Sequence, residues 1–270
     1  MDKRVMKQPV YFISHGGGPW PWMPEVQQAN QALAASLAAI PAQLPCPPRA
    51  ILMVSAHWET APHLAIMGAA QPGMLYDYYG FPANTYTVKY AAPGDPALAH
   101  DLRDVLRAAQ FSVEIDAERG FDHGAFVPAF VMYPDAQIPM LQLSIHQHSD
   151  PAYHLAVGRA LTGLRDQNVL IIGSGLSYHN LRQLGPAGSE PSARFDAWLQ
   201  DTLLEHTGQE RSARLQAWHA APAARIAHPR EDHLIPLMVA AGAAENEAAT
   251  CVYHETSAFG GITASSFRLG

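Results

Sequence analysis

Short, continuously apolar runs rich in β-branched residues alternate along this chain with longer segments of helical periodicity, and that alternation fixes the fold class. Pro9–Ser14 (PVYFIS), Ala50–Ala56 (AILMVSA), His63–Gly68, Ser112–Asp116, Ile138–Ile145 (IPMLQLSI), Val169–Ser174 (VLIIGS) and Thr250–Glu255 read as strands. Several lack polar alternation, as strands covered on both faces do. Between them, Val26, Ala29, Leu33, Leu37 and Ile40 form one helical stripe, and Leu98, Leu102, Val105, Leu106 and Ala109 form another. Asp95-Pro96 and Asp150-Pro151 each pair a capping acid with a proline at the first helical position. Phe195, Trp198, Leu199 and Leu203 mark a further helix, and Leu234–Ala244, with Pro236 in its first turn, a buried last one. The Gly185–Ser192 stretch reads as a surface loop. The prediction is an α/β protein whose central sheet, largely parallel or mixed, carries helices on both faces. No repeat or linker divides the chain, so residues 1–270 are expected to form a single catalytic domain.

A chain of 270 residues, 48% hydrophobic, buries enough surface to fold without disulfides or a structural metal. Its net charge of -7 argues against a nucleic-acid partner. No apolar run approaches the roughly 18 residues of a membrane span. The opening MDKRVMKQPVYFIS lacks the long apolar region of a signal peptide. Cys46 and Cys251 have no further partners, which predicts a reducing, cytoplasmic setting. The unusual number is 14 histidines against 17 Lys and Arg.

Three of those histidines recur at one kind of position. His15 follows YFIS, His57 follows ILMVSA, and His179 follows VLIIGSGLSY. In a parallel sheet the carboxyl ends of the strands share one edge, and ligands bind in the crevice there. One such histidine reads as structural, whereas three predict a shared metal or catalytic centre. His233 lies in HPREDH, just before the last helix. Capping and the helix dipole account for Asp232 and Glu231 but not for the imidazole, since a cationic ring is disfavoured at a helix start while a neutral, metal-bound one is not. His123 lies in GFDHGAF, where Gly120 and Gly124 predict a tight turn with close approach of backbone or ligand. Asp122 is poorly placed to orient that ring, because adjacent side chains diverge.

Neutral imidazoles near carboxylates suit Zn, Fe or Cu, and three protein ligands with open positions make a metal catalytic. HExxH and CxxC are both missing, so the ligands must come from separate loops. His15-Gly16-Gly17-Gly18 also matches the HGGG oxyanion segment of some esterases. The nucleophile elbow such an enzyme needs is lacking: GLSYH ends in His179, and IGSGL places Ile172 where the first glycine belongs.

SHGGGP (14–19), SAHWE (55–59), YDYYGFP (76–82), KYAAPGDPALA (89–99), RGFDHGAFVP (119–128), GSGLSYHNL (173–181) and HPREDHLIPL (228–237) stand in that order along the chain. Together they resemble the class III extradiol dioxygenases of the LigB type, in particular the DOPA 4,5-dioxygenase-like branch. The resemblance implies a LigB-like fold and cleavage of a catechol ring beside its hydroxyls by O₂ at a non-haem Fe(II) ion. It implies His15 and His57 as paired metal ligands and His233 as the third, with Glu231 as the carboxylate alternative used in the wider superfamily. A three-histidine site also suits Zn(II). His179 is implied as the base and a possible fourth ligand, and His123 as the residue that hydrogen-bonds oxygen. Trp20, Trp22 and the aromatic cluster Tyr76, Tyr78, Tyr79 and Phe81 are expected in the rim or against the substrate ring. Ser14, Ser55, Ser174, Ser177, Trp58 and Glu59 are expected to orient the ligands. The remaining histidines read as surface or structural. The expected partners are a small aromatic substrate and O₂. A zinc-dependent hydrolase of a small substrate and a LigB-fold binding protein without catalysis are the alternatives.

Overall fold

The apolar run that opens the fold becomes β1 (Val10–Ser14), buried over its whole length. The computed structural model describes residues 7–270. From β1 the chain passes through α1 (Pro24–Gln27) and α2 (Gln31–Gln43) into β2 (Ala50–Thr60) and β3 (Leu64–Met67). Next come α3 (Pro96–Ala108), β4 (Val113–Asp116), α4 (His123–Met132), β5 (Met140–His146), α5 (Pro151–Leu161) and β6 (Val169–Gly175). Then α6 (Pro186–Leu204), α7 (Gly208–Gln216), α8 (Ala224–Ala227) and α9 (Ile235–Ala243) lead to the closing pair β7 (Ala249–Ala258) and β8 (Ile262–Leu269).

The strands form one mixed sheet in the order β4-β3-β5-β2-β6-β1-β8-β7. β5, β2, β6 and β1 run parallel to one another, so their carboxyl ends share an edge. β3 pairs antiparallel with β5, and β8 antiparallel with both β1 and β7. Helices cover both faces, as alternation along β6 shows. Ser174 turns its hydroxyl to the Gly124 carbonyl of α4. A Cβ on Gly173 would instead lie 2.3 Å from the Pro236 carbonyl oxygen of α9. α9 is apolar all round and fully buried, as a helix wedged between a sheet and another helix must be. Its partner is α5: a Cβ on Gly158 would stand 2.2 Å from the Val239 oxygen, and one on Gly242 2.1 Å from the Leu155 oxygen.

The expected caps are present, with Asp95 accepting from the Leu98 N–H and Asp150 from the Ala152 N–H. Elsewhere the structure corrects the reading. Gly185–Ser192 is no surface loop, because α6 begins at Pro186 and packs on β8, where the Ser192 hydroxyl accepts the Thr263 N–H. The DHG segment is not a turn but the start of α4, capped by Asp122 through the Ala125 N–H. Close approach at its glycines does hold: a Cβ on Gly120 would meet the Gly73 backbone at 2.9 Å, and one on Gly124 the Ser55 hydroxyl at 2.5 Å. β2 continues past His57, with an irregularity against β5 between Val54 and Glu59. β8, unread in the sequence, is almost wholly buried.

Candidate metal centre

The edge shared by the parallel strands is where the histidines meet. His15 leaves β1, His57 sits near the end of β2, His123 opens α4, His179 follows β6, and His233 precedes α9. Ring centroids of His15 lie 5.0 Å from His57, 5.2 Å from His123 and 5.4 Å from His233. His57 and His123 are 3.9 Å apart, and His179 stacks on His233 at 3.4 Å. All five line one cavity of about 370 Å³.

Each ring turns its Nδ1 toward a carbonyl or carboxylate oxygen, and two of them, His15 and His123, hydrogen-bond there. His15 Nδ1 is 2.8 Å from the Gly16 carbonyl oxygen, so it donates there and its Nε2 carries a lone pair. His123 Nδ1 donates to Asp77 Oδ1 at 2.8 Å, and the other oxygen of Asp77 lies 3.3 Å from His57 Nδ1. One carboxylate thus spans two imidazoles. Asp232 does the same on the far side, 3.2 Å from His233 Nδ1 and 3.8 Å from His179 Nδ1. Burial alone would push both carboxyls up, but the imidazoles facing them reverse this and hold Asp77 and Asp232 below the usual range.

The donor set fits a metal ion. His15 Nε2 is buried with no hydrogen-bond partner. His57 Nε2 and His233 Nε2 are 3.2 Å apart, with both Nδ1 atoms facing carboxylates. Two lone pairs at that distance repel unless a cation lies between them. Burial, with repulsion from neighbouring rings, lowers His15 and His233 well below the ordinary histidine value and His57 to about 4, so all three are neutral donors at pH 7. His15, His57 and His123 also place one nitrogen each within 4.8 Å of one another, as do His179, Asp232 and His233.

Several expectations fall differently. Glu231 turns away to Arg225, 2.5 Å off, and is no ligand candidate. Asp232 does not cap α9, whose N-terminus has no side-chain cap. Trp20 donates its indole N–H to the His15 carbonyl oxygen, fixing that loop from outside the cavity, while Trp22 packs on Phe126 and Phe130. Tyr76 donates to the Val88 carbonyl, whereas Tyr78, Tyr79 and Phe81 do line the cavity. Of the serines, Ser55 accepts the His57 N–H and donates to Asp122, while Ser174 and Ser177 bond to backbone groups. Ser14 offers its N–H to Ser266. Trp58 lies under the Arg119 guanidinium, and Glu59 binds Arg230. Asp77 is the residue that sequence reasoning missed. Its one signal is an acid set inside the aromatic run YDYYGF.

Residues 10–270 match the family described as the catalytic LigB subunit of aromatic ring-opening dioxygenase. The chain belongs to this family. It is 40% identical over 251 residues to the 4,5-DOPA dioxygenase extradiol of Beta vulgaris, covering 91% of this chain and 90% of that one. With the dioxygenase tasH of Hapsidospora irregularis it shares 39% identity over 267 residues, 90% of this chain and 80% of the relative. The crystal structure of an uncharacterized Escherichia coli K12 protein superposes with a TM-score of 0.77 at 29% identity, covering 98% of this chain and 100% of that one. This LigB protein is therefore an extradiol ring-opening dioxygenase, an oxidoreductase that acts on an aromatic substrate with O₂. Among the described residues no helix is long and apolar enough to cross a membrane.

Proposed function

We propose that this LigB protein cleaves a catechol ring in the manner of the 4,5-DOPA dioxygenases it resembles, with residues 1–270 acting as one catalytic domain. The observation that carries the reading is the convergence of five histidines from five separate segments on one cavity, three of them neutral donors. His15, His57 and His233 are the ligands we assign, each through the nitrogen opposite the Nδ1 that faces a carbonyl or carboxylate oxygen. Fe(II) is the metal expected for activity, and Zn(II) suits the same three imidazoles. When bound, the metal supplies electron transfer between ring and O₂ and acidifies the hydroxyl it holds.

The chain's own residues handle position and protons. His179 stands beside His233 and takes the proton of the second hydroxyl. Asp232, ionised and facing its Nδ1, stabilises the imidazolium that results. On the opposite side, His123 keeps Nδ1 on Asp77 and turns Nε2 toward His15 and His57. We assign that nitrogen to hydrogen-bond the oxygen and, from the imidazolium form that Asp77 stabilises through Nδ1, to give up its Nε2 proton as the ring opens, leaving the neutral ring. Tyr78, its hydroxyl tied to the Thr85 carbonyl at 2.6 Å, is a fixed wall packed edge-on against His123. A cytoplasmic location is consistent with two free thiols, Cys46 and Cys251.

O₂ consumption with simultaneous absorption spectra tests this reading. Protein stripped of metal and reloaded anaerobically with Fe(II) is expected to consume O₂ with catechols and to develop a yellow semialdehyde band. Retained iron with no uptake on any catechol overturns it.

A further inference from the structure

Of the five large apolar side chains exposed among the described residues, four, Tyr79, Leu181, Leu184 and Phe259, rim the mouth of the histidine cavity. Tyr79 is 91% exposed and Leu181 69%, so nothing among the described residues covers them. Exposed apolar groups concentrated on one rim mark a binding surface. Among the described residues no Lys, Arg, Asp or Glu lines the cavity. Arg182 and Arg230 line a different hollow that shares only His179 and Leu181 with it, and the Arg230 guanidinium is bound to Glu59.

The apolar surface continues inward. Gly17, Phe81 and Phe259 also border a second hollow of about 270 Å³, walled by Trp20, Met23 and Val26. The two phenylalanines close down on the glycine loop because it has no side chains. A Cβ on Gly17 would stand 3.1 Å from the Phe259 ring, and one on Gly18 2.7 Å from the Phe81 ring. The HGGG segment thus serves here as a floor for two aromatic rings. A charged ammonium or carboxylate drawn against these groups loses water and gains no partner. An alkyl or aryl group gains by burial.

We propose that this site selects catechols whose ring substituent is uncharged and apolar, with Phe81, Phe259 and Leu181 as the specificity-determining residues. The inference rests on the ring-cleavage reading above but differs from it: that reading concerns the ring, and this one the tail.

The test offers 4-butylcatechol, catechol and L-DOPA to the Fe(II)-loaded protein, with kcat/KM from O₂ uptake and anaerobic affinities from calorimetry. The kcat/KM for 4-butylcatechol is expected to exceed those for catechol and L-DOPA about tenfold or more, each buried methylene contributing about fourfold. Phe259→Ala is expected to lower the butylcatechol-to-catechol ratio by about fivefold. L-DOPA matching or surpassing 4-butylcatechol, or a ratio unmoved in Phe259→Ala, overturns the proposal. Failure of all three to consume O₂ counts against ring cleavage alone, since the order of anaerobic affinities then still supports or overturns the tail preference. A stable dimer by light scattering that Leu181→Arg splits assigns the rim to a subunit interface and also overturns it.

Discussion

Asp77 shows how one side chain sets the electronic state of two others. Its carboxylate fixes His123 through Nδ1 and faces His57 Nδ1, so both rings present their Nε2 nitrogens inward. Carboxylates behind ligating histidines orient the ring and raise its basicity. Asp77→Asn is therefore expected to weaken metal affinity about 10–100-fold while the chain stays folded; a metal titration with circular dichroism checks both, and unchanged affinity contradicts the assignment. His179 is a different case, which we assign as the proton acceptor. His179→Ala is expected to slow turnover about 10²–10⁴-fold with the metal retained. Loss of metal in that variant, measured by elemental analysis, would show that His179 ligates. His15, His57, His179 and His233 were legible in the sequence because each follows or precedes a recognisable element, and His123 through its GFDHG motif alone. Asp77 was not, since it lies in an irregular segment and reaches its partners only through the fold.

The same contrast holds for elements. The parallel strands and the capped helices were readable because apolar runs, Asp-Pro pairs and periodicity all point one way. α4 (HGAFVPAFVM) hides its helical character: it contains Gly124 and Pro128 and has no polar face, being buried nearly all round. β8 (ITASSFRL) hides for the opposite reason. Its serines look like loop residues, yet Ser266 accepts the Ser14 N–H, and Ser177 of the β6–α6 connection accepts the Ser265 N–H. Packing of β6 on the segment before α9 also sets the site. A Cβ on Gly175 would lie 2.1 Å from the His233 carbonyl oxygen, so only glycine lets that backbone close on the strand. Gly175→Ala is expected to cost about 1–3 kcal/mol of stability and to weaken metal binding by displacing His233. Urea unfolding and a metal titration read the two effects, and a variant with normal affinity contradicts the link.

Across the whole molecule, buried histidines away from the metal centre make stability depend on pH. His154, in α5, holds its Nδ1 on the Asp150 carbonyl and accepts the His146 N–H at Nε2. His228 lies 3.0 Å from the Ser177 carbonyl through Nε2. Burial, opposed in part by those backbone bonds, pushes each down to about 4 from the ordinary 6.5. A depressed folded value means that the unfolded chain takes up the proton first as pH falls. Their contribution is thus complete above pH 6.5 and is lost on descent toward about 4, at roughly 3 kcal/mol each. The urea midpoint is expected to fall steeply across that window, and a flat midpoint would show that these rings protonate inside the folded protein.

At this scale the central claim is that strand-end histidines from both halves of the chain gather to insert O₂ into an aromatic ring. Turnover of a catechol by the Fe(II)-loaded protein under ¹⁸O₂, with the product trapped at once and weighed by mass spectrometry, tests that claim most directly. Both atoms of labelled dioxygen are expected in the opened product. A product carrying oxygen from water alone would identify a hydrolase and contradict it.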